Sequence, residues 1–292
     1  MKRRTLKSSV KSKLEVIKMQ LYKFSLNEHF PNLGGETDST YVECYINGAR
    51  EIYGSKAGYY PCLVICPGGG YSIVSPREAA PVGMNFISEG YHVFIVRYST
   101  TPHGFPQQLR EVAATLEIVG KHADEWQCDM NNITIMGFSA GGHLAAQYSN
   151  RYDCPEVREM FPNSKPVHRT VLCYPVITSD ETYKHGGTIK TFVGHEPVDG
   201  YEKGCSCELL VTEKTPPTFI WHTSEDTVVP VENSLLYATA LRRHKVPFEL
   251  HIYPYGSHGL ATVDTITNPQ VDVRTAHAHE WIDACKKWLR LR

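Results

Sequence analysis

The segment that most constrains this chain is Gly137-Phe138-Ser139-Ala140-Gly141, placed directly behind the apolar run Ile133-Thr134-Ile135-Met136. A buried strand that ends in G-x-S-x-G and runs into small residues makes a tight strand-to-helix turn. The glycines let strand and helix approach closely, and the serine hydroxyl is lifted to the end of the sheet beside a helix N-terminus. The stretch Gly142-His143-Leu144-Ala145-Ala146-Gln147-Tyr148 reads as that helix. Ser139 is therefore the candidate nucleophile.

A serine needs a base, and the base needs an orienting carboxylate. Thr218-Phe219-Ile220-Trp221-His222 reads as a strand, and the loop behind it holds Glu225 and Asp226. Phe248-Glu249-Leu250-His251-Ile252-Tyr253 alternates as a further strand and leads into Gly256-Ser257-His258-Gly259. A histidine between glycines, just past a strand, is placed to act as the base. Each candidate follows the C-terminal end of a strand, where open α/β sheets hold their ligands.

Cys66-Pro67-Gly68-Gly69-Gly70-Tyr71 follows another apolar strand, Cys62-Leu63-Val64-Ile65. Three consecutive glycines can turn backbone N–H groups toward one point. In this position they resemble the glycine-rich oxyanion loop of lipases and esterases. Together these motifs resemble the α/β-hydrolase superfamily and, more narrowly, its acetyl esterase and xylan esterase group of sugar esterases. The similarity extends over roughly residues 20–292.

The resemblance implies roles residue by residue. Ser139 matches the nucleophile and His258 the base. The Asp226-to-Pro230 pattern selects Asp226 over Glu225 as the acid. Gly69, Gly70 and the N–H of Ala140 match the oxyanion donors. Two positions depart from the usual pattern. Pro67 stands where a histidine opens the oxyanion motif, so the loop must be anchored differently. Arg97-Tyr98-Ser99 replaces a Tyr-Arg pair after the next strand. The implied activity is cofactor-free hydrolysis of a small-molecule ester, carrying a short acyl group such as acetyl on a sugar. An amidase of the arylformamidase kind would use the same residues, and a non-catalytic binding protein is a further reading. Activated esters, sugar acetates and a Ser139→Ala variant separate the three.

The other histidines read differently. His222 lies in a strand and reads as a satisfied core or rim histidine, and His143, in the helix behind Ser139, suits packing or support. His277 and His279 fall on a C-terminal helix and are expected to face solvent. Asp264 and Asp272 come after His258, in the wrong order for this fold. Neither H-E-x-x-H nor paired C-x-x-C is present, so no metal is expected.

At 292 residues the chain suits one α/β domain. Strands are expected near 20–26, 40–47, 62–66, 92–98, 133–138, 169–174, 218–223 and 248–253. Helices are expected near 76–89, 107–127, 140–150, 231–244 and 273–290. The alternation implies a mostly parallel sheet of about eight strands covered by helices on both sides, with the two early strands as an antiparallel edge. About forty residues rich in Gly, His, Thr and Glu follow the sixth strand, over 176–215, and are expected to form a small cap. Tyr71 and parts of this cap are candidates for substrate contact or, equally, for scaffold. The cap is no continuous apolar lid, which argues against a long-chain lipid.

Residues 1–19 read as a basic extension, with Lys2, Arg3, Arg4, Lys7, Lys11, Lys13 and Lys18 and no apolar signal core. A net charge of −1 argues against nucleic acid as a partner. No apolar run is long enough to span a membrane. Nine scattered cysteines suggest reduced thiols and a cytoplasmic setting. The assembly state is open, with a homodimer among the options.

Overall fold

The computed structural model describes residues 19–36, 39–48, 58–194 and 204–291, and the backbone of 51–52 and 55–56. The basic extension up to residue 18, and His195 and Tyr201 of the insertion, lie outside the described residues.

Eight strands make one sheet: β1 (Gln20–Ser25), β2 (Tyr41–Ile46), β3 (Tyr60–Cys66), β4 (His92–Arg97), β5 (Cys128–Phe138), β6 (Arg169–Cys173), β7 (Thr218–Thr223) and β8 (Phe248–Tyr253). Their order across the sheet is β1-β2-β4-β3-β5-β6-β7-β8. β2 is antiparallel to both neighbours, and every other pairing is parallel. The two early strands thus form the expected edge, and only β2 runs against the rest.

Strand residues alternate between two cores. Cys62, Val64 and Cys66 pack with Leu109, Val112, Leu144 and Leu241. Leu63 and Ile65 pack on the other face with Val82, Phe86 and Trp281. Both faces are buried, so the parallel strands read as continuous apolar runs. The helices follow this division. On the first face lie α2 (Gln107–Lys121), α3 (Ala140–Arg151) and α5 (Glu232–Arg243). On the second lie α1 (Ala80–Ile87) and α6 (Trp281–Leu289). In α6 the buried Trp281, Cys285 and Trp288 recur at helical spacing, and Trp281 stacks on Trp221 with centroids 5.1 Å apart at 13°.

Three expectations change in detail. The helix expected over 107–127 ends at Lys121. His122 lies flat on Trp126, 4.3 Å between centroids, and a separate turn Ala123–Trp126 follows. The helix expected over 273–290 breaks into Val273–Ala276, a 3₁₀ turn His277–Glu280 and α6, with His279 Nδ1 meeting the Thr262 carbonyl at the break. The segment after β6 contains a helix, α4 (Gly186–Val193), that two leading glycines hide from periodicity. His185 starts it by accepting a hydrogen bond from the Thr188 N–H. Phe192 anchors it in the core against Tyr71 and His143.

All nine cysteines are free thiols. Among the described residues no helix is long and apolar enough to cross a membrane, and no three metal-ligating side chains cluster.

Candidate active site

Ser139 sits between β5 and α3 at φ 53°, ψ −119°, a conformation side chains rarely adopt. The surrounding contacts hold it there. Its N–H donates to the Cys173 carbonyl at 3.0 Å, and its own carbonyl accepts from His143 N and Val176 N at 3.1 Å each. The flanking glycines are required by close approach. A Cβ on Gly137 would lie 2.0 Å from the Gly141 carbonyl oxygen, and one on Gly141 would lie 2.0 Å from that of Cys66.

The loops after β7 and β8 bring two more groups to this point. His258 Nε2 lies 2.7 Å from Ser139 Oγ, and His258 Nδ1 lies 2.6 Å from Asp226 Oδ2. Asp226 only accepts, so the His258 proton is on Nδ1 and Nε2 is free to take the serine proton. Asp226 is almost fully buried at 6 % exposure. Its Oδ1 accepts from Val228 N at 3.0 Å and Val229 N at 2.9 Å. Burial alone would raise this carboxyl. Hydrogen bonds from His222 and His258, the electrostatic pull of the His258 ring and the Val229 N–H outweigh burial and hold it well below the usual carboxylate range.

His222 lies 3.2 Å from Asp226 Oδ2 and 3.0 Å from the Val229 carbonyl, both through Nε2. Two acceptors fix the proton on Nε2, so Nδ1 accepts from Ser234 Oγ at 2.8 Å. The histidine expected to be a core or rim residue therefore also supports Asp226. Glu225, by contrast, is exposed and accepts from Gly256 N at 3.2 Å, with no bond to His258.

The glycine loop faces Ser139. Gly69 has φ +124° and Gly70 φ +64°, and a Cβ at Gly69 would lie 2.2 Å from the Ile73 carbonyl oxygen. The N–H groups of Gly69, Gly70 and Ala140 donate to no other described residue. Pro67 is held by the Tyr98 hydroxyl on its carbonyl. Gly68 N donates to Glu78 Oε2 at 2.8 Å. These two bonds anchor a loop that lacks the usual histidine. Arg97 pairs with Glu43 at 2.9 Å across the β2–β4 ladder.

Tyr71 is a correction. Its side chain is fully buried rather than lining the cleft, and its hydroxyl lies 3.0 Å from His143 Nδ1. His143 Nε2 donates to the Cys205 carbonyl at 2.8 Å, so Nδ1 accepts from Tyr71. Burial pushes His143 down to about 4, so this pair is neutral at physiological pH. Tyr71 and His143 support the loop from behind.

Ser139 and His258 open into a cleft of about 370 Å³ whose walls include Gly69, Gly70, Ile73 and His185. The cap residue His185 was not singled out from the sequence as a cleft residue, because only the fold brings the start of α4 to this wall.

Residues 51–241 match the BD-FAE family model. The chain belongs to the BD-FAE family. This BD-FAE chain is 35% identical over 211 residues to the endo-1,4-beta-xylanase B of Butyrivibrio fibrisolvens, matching 70% of this chain and 33% of the relative. It is 34% identical over 206 residues to the acetylxylan esterase of Xylanibacter ruminicola, matching 68% of this chain and 40% of the relative. The chain thus spans well under half the length of these two relatives. Among solved structures, the acetyl ester-xyloside bifunctional hydrolase from Caldicellulosiruptor lactoaceticus superposes with a TM-score of 0.77 at 34% identity, covering 91% of this chain and 94% of that one. The BD-FAE chain has the α/β-hydrolase fold expected from its motifs.

Proposed function

We propose that this chain is a serine esterase that removes short acyl groups, acetyl foremost, from carbohydrate. The observation that carries the reading is the hydrogen-bonded line from Ser139 Oγ through His258 to Asp226, facing a loop whose Gly69 and Gly70 N–H groups have no partner among the described residues.

The chemistry follows from that line. His258 Nε2 takes the Ser139 proton as Oγ attacks the ester carbonyl. The developing oxyanion accepts hydrogen bonds from the N–H groups of Gly69, Gly70 and Ala140, which need no reorganisation to receive it. Asp226 stays ionised and stabilises the imidazolium. His258 then protonates the departing alcohol, and water clears the acyl-enzyme by the same route. A cleft of about 370 Å³ is at the small end for ligand sites and suits a short acyl group. The preference for acetylated sugar is supported by the acetylxylan esterase and acetyl ester-xyloside hydrolase relatives. In this reading residues 20–292 act as one domain, the segment over 176–215 caps the site, and nine free thiols suit a reducing compartment such as the cytoplasm.

The test is hydrolysis of 4-nitrophenyl acetate, butyrate and octanoate and of acetylated xylo-oligosaccharides by wild type and Ser139→Ala. Serine-dependent release of acetate from both classes, falling with acyl length, is expected. Serine-dependent turnover of aryl esters without release from sugar acetates would move the substrate toward amides. No turnover of any ester would overturn the reading.

A further inference from the structure

Arg77 stands on the wall of the same cleft, exposed, with no use in the mechanism above. Its Nη1 donates to the Thr267 carbonyl at 3.1 Å, which fixes one edge of the guanidinium. Its Nη2 lies 3.4 Å from where a Cβ on Gly259 would sit. The glycine next to His258 therefore leaves the other edge of the guanidinium uncrowded.

Among the described residues that charge has no counterion. No carboxylate among the described residues lies within 4.0 Å of it. The adjacent Glu78 is the obvious partner by sequence, yet it is turned inward and buried, with Oε2 taken by Gly68 N and Oε1 by the Tyr174 hydroxyl. The chain as a whole carries a net charge of −1, so a free cation here is not a by-product of a basic surface. Burial, with His258 nearby, keeps His185, on the same cleft, below the ordinary histidine range. Its Nδ1 accepts from Thr188 N, so its proton is on Nε2, another donor. The cleft thus presents a guanidinium, an imidazole N–H and backbone N–H groups, and the one carboxylate among its described walls, Glu78, has both oxygens engaged.

We infer that the cleft takes esters bearing a carboxylate close to the scissile bond, and that Arg77 pairs with that carboxylate. A guanidinium presents two parallel N–H donors to a carboxylate, a match in geometry as well as charge. On a carbohydrate, the group recognised would be an acidic sugar unit. This inference rests on the esterase reading.

The test compares two acetyl esters of matched size, 4-acetoxybenzoate and 4-acetoxybenzamide, with the full chain and with Arg77→Gln. The ratio of kcat/KM for carboxylate over amide is expected to fall about tenfold in the variant, as for loss of one charge-assisted pair. Salt is expected to lower the ratio in wild type more than in Arg77→Gln. An equal ratio in the two proteins overturns the inference. A second measurement needs no variant: 4-hydroxybenzoate is expected to inhibit wild type more tightly than 4-hydroxybenzamide, and equal inhibition also overturns it. Failure of wild type to turn over either ester, or turnover that survives Ser139→Ala, overturns the esterase reading itself.

Discussion

Tyr174 donates its hydroxyl hydrogen to Glu78 Oε1 at 2.7 Å, and the two residues lie 96 positions apart in the chain. On the other side of Glu78, Oε2 holds the Gly68 N–H at 2.8 Å. The Tyr174 oxygen in turn accepts from Ala261 N at 2.9 Å, just beyond His258. The Tyr174 ring also meets the His258 ring edge-on, with centroids 5.1 Å apart. One buried carboxylate therefore ties the glycine loop to the loop that carries His258. Glu78→Gln is expected to place an amide N–H₂ against a donor, loosening one of the two loops. The expected result is a kcat loss of roughly 10- to 100-fold with a smaller change in KM, by analogy with groups that hold a site in register. Tyr174→Phe is expected to leave the Ala261 N–H unpaired and lower stability by about 1–3 kcal/mol. Steady-state kinetics and urea titration check both.

Ser139→Ala is expected to remove turnover of 4-nitrophenyl acetate by about 10⁴- to 10⁶-fold. The fold should persist, because the positive φ at this position is imposed by bonds to Cys173, His143 and Val176 through the backbone. Circular dichroism alongside the kinetics checks this, and a variant with near wild-type rates would remove Ser139 from the mechanism.

The two neighbouring acids are expected to separate cleanly. Asp226→Asn replaces the acceptor facing His258 Nδ1 with an amide and favours the wrong tautomer, with a loss of about 10⁴-fold. Glu225→Gln disturbs only an exposed group on Gly256 N and is expected to cost less than tenfold. Equal losses would reassign the acid.

Asp226 also makes stability depend on pH. Its folded carboxyl is held well below the ordinary range, which is about 4 in an unfolded chain. A depressed acid contributes stability that is complete above about pH 4 and is lost as pH falls through the folded value. The gap in urea midpoint between wild type and Asp226→Asn is expected to narrow on acidification below about pH 4. A gap independent of pH would mean that the carboxylate charge is not what the site stabilises.

Trp281→Ala removes a fully buried ring that stacks on Trp221 and donates from Nε1 to the Ala261 carbonyl at 3.0 Å. A loss of about 3–5 kcal/mol is expected, measured by chemical denaturation.

Much of this was legible in the sequence, for local reasons. Ser139, Asp226 and His258 each follow a strand end and carry their own turn residues, so each announces itself without knowledge of the others. The eight strands were legible because buried parallel strands are short apolar runs bounded by turns. What stayed hidden depends on contacts distant in the chain. Glu78 carries no mark of its own in the sequence, because its partners, Gly68 and Tyr174, are supplied by other segments. Tyr71 looked like a cleft residue because it adjoins three glycines, but its own φ of +58° sends the ring into the core. Helix α4 was hidden because Gly186 and Gly187 weaken helix propensity where the His185 cap and the burial of Phe192 decide the matter.

The Trp221–Trp281 stack has a use beyond packing. Two of the chain's four tryptophans lie nearly parallel, one in the strand that leads to Asp226 and the other at the start of the last helix. Indoles this close couple their electronic transitions, so the pair marks the native fold optically, without added dye. Undocking of the C-terminal helix would switch that coupling off and free the Ala261 carbonyl that Trp281 holds. The same ultraviolet spectrum would therefore tell a variant that has lost its chemistry from one that has lost its fold.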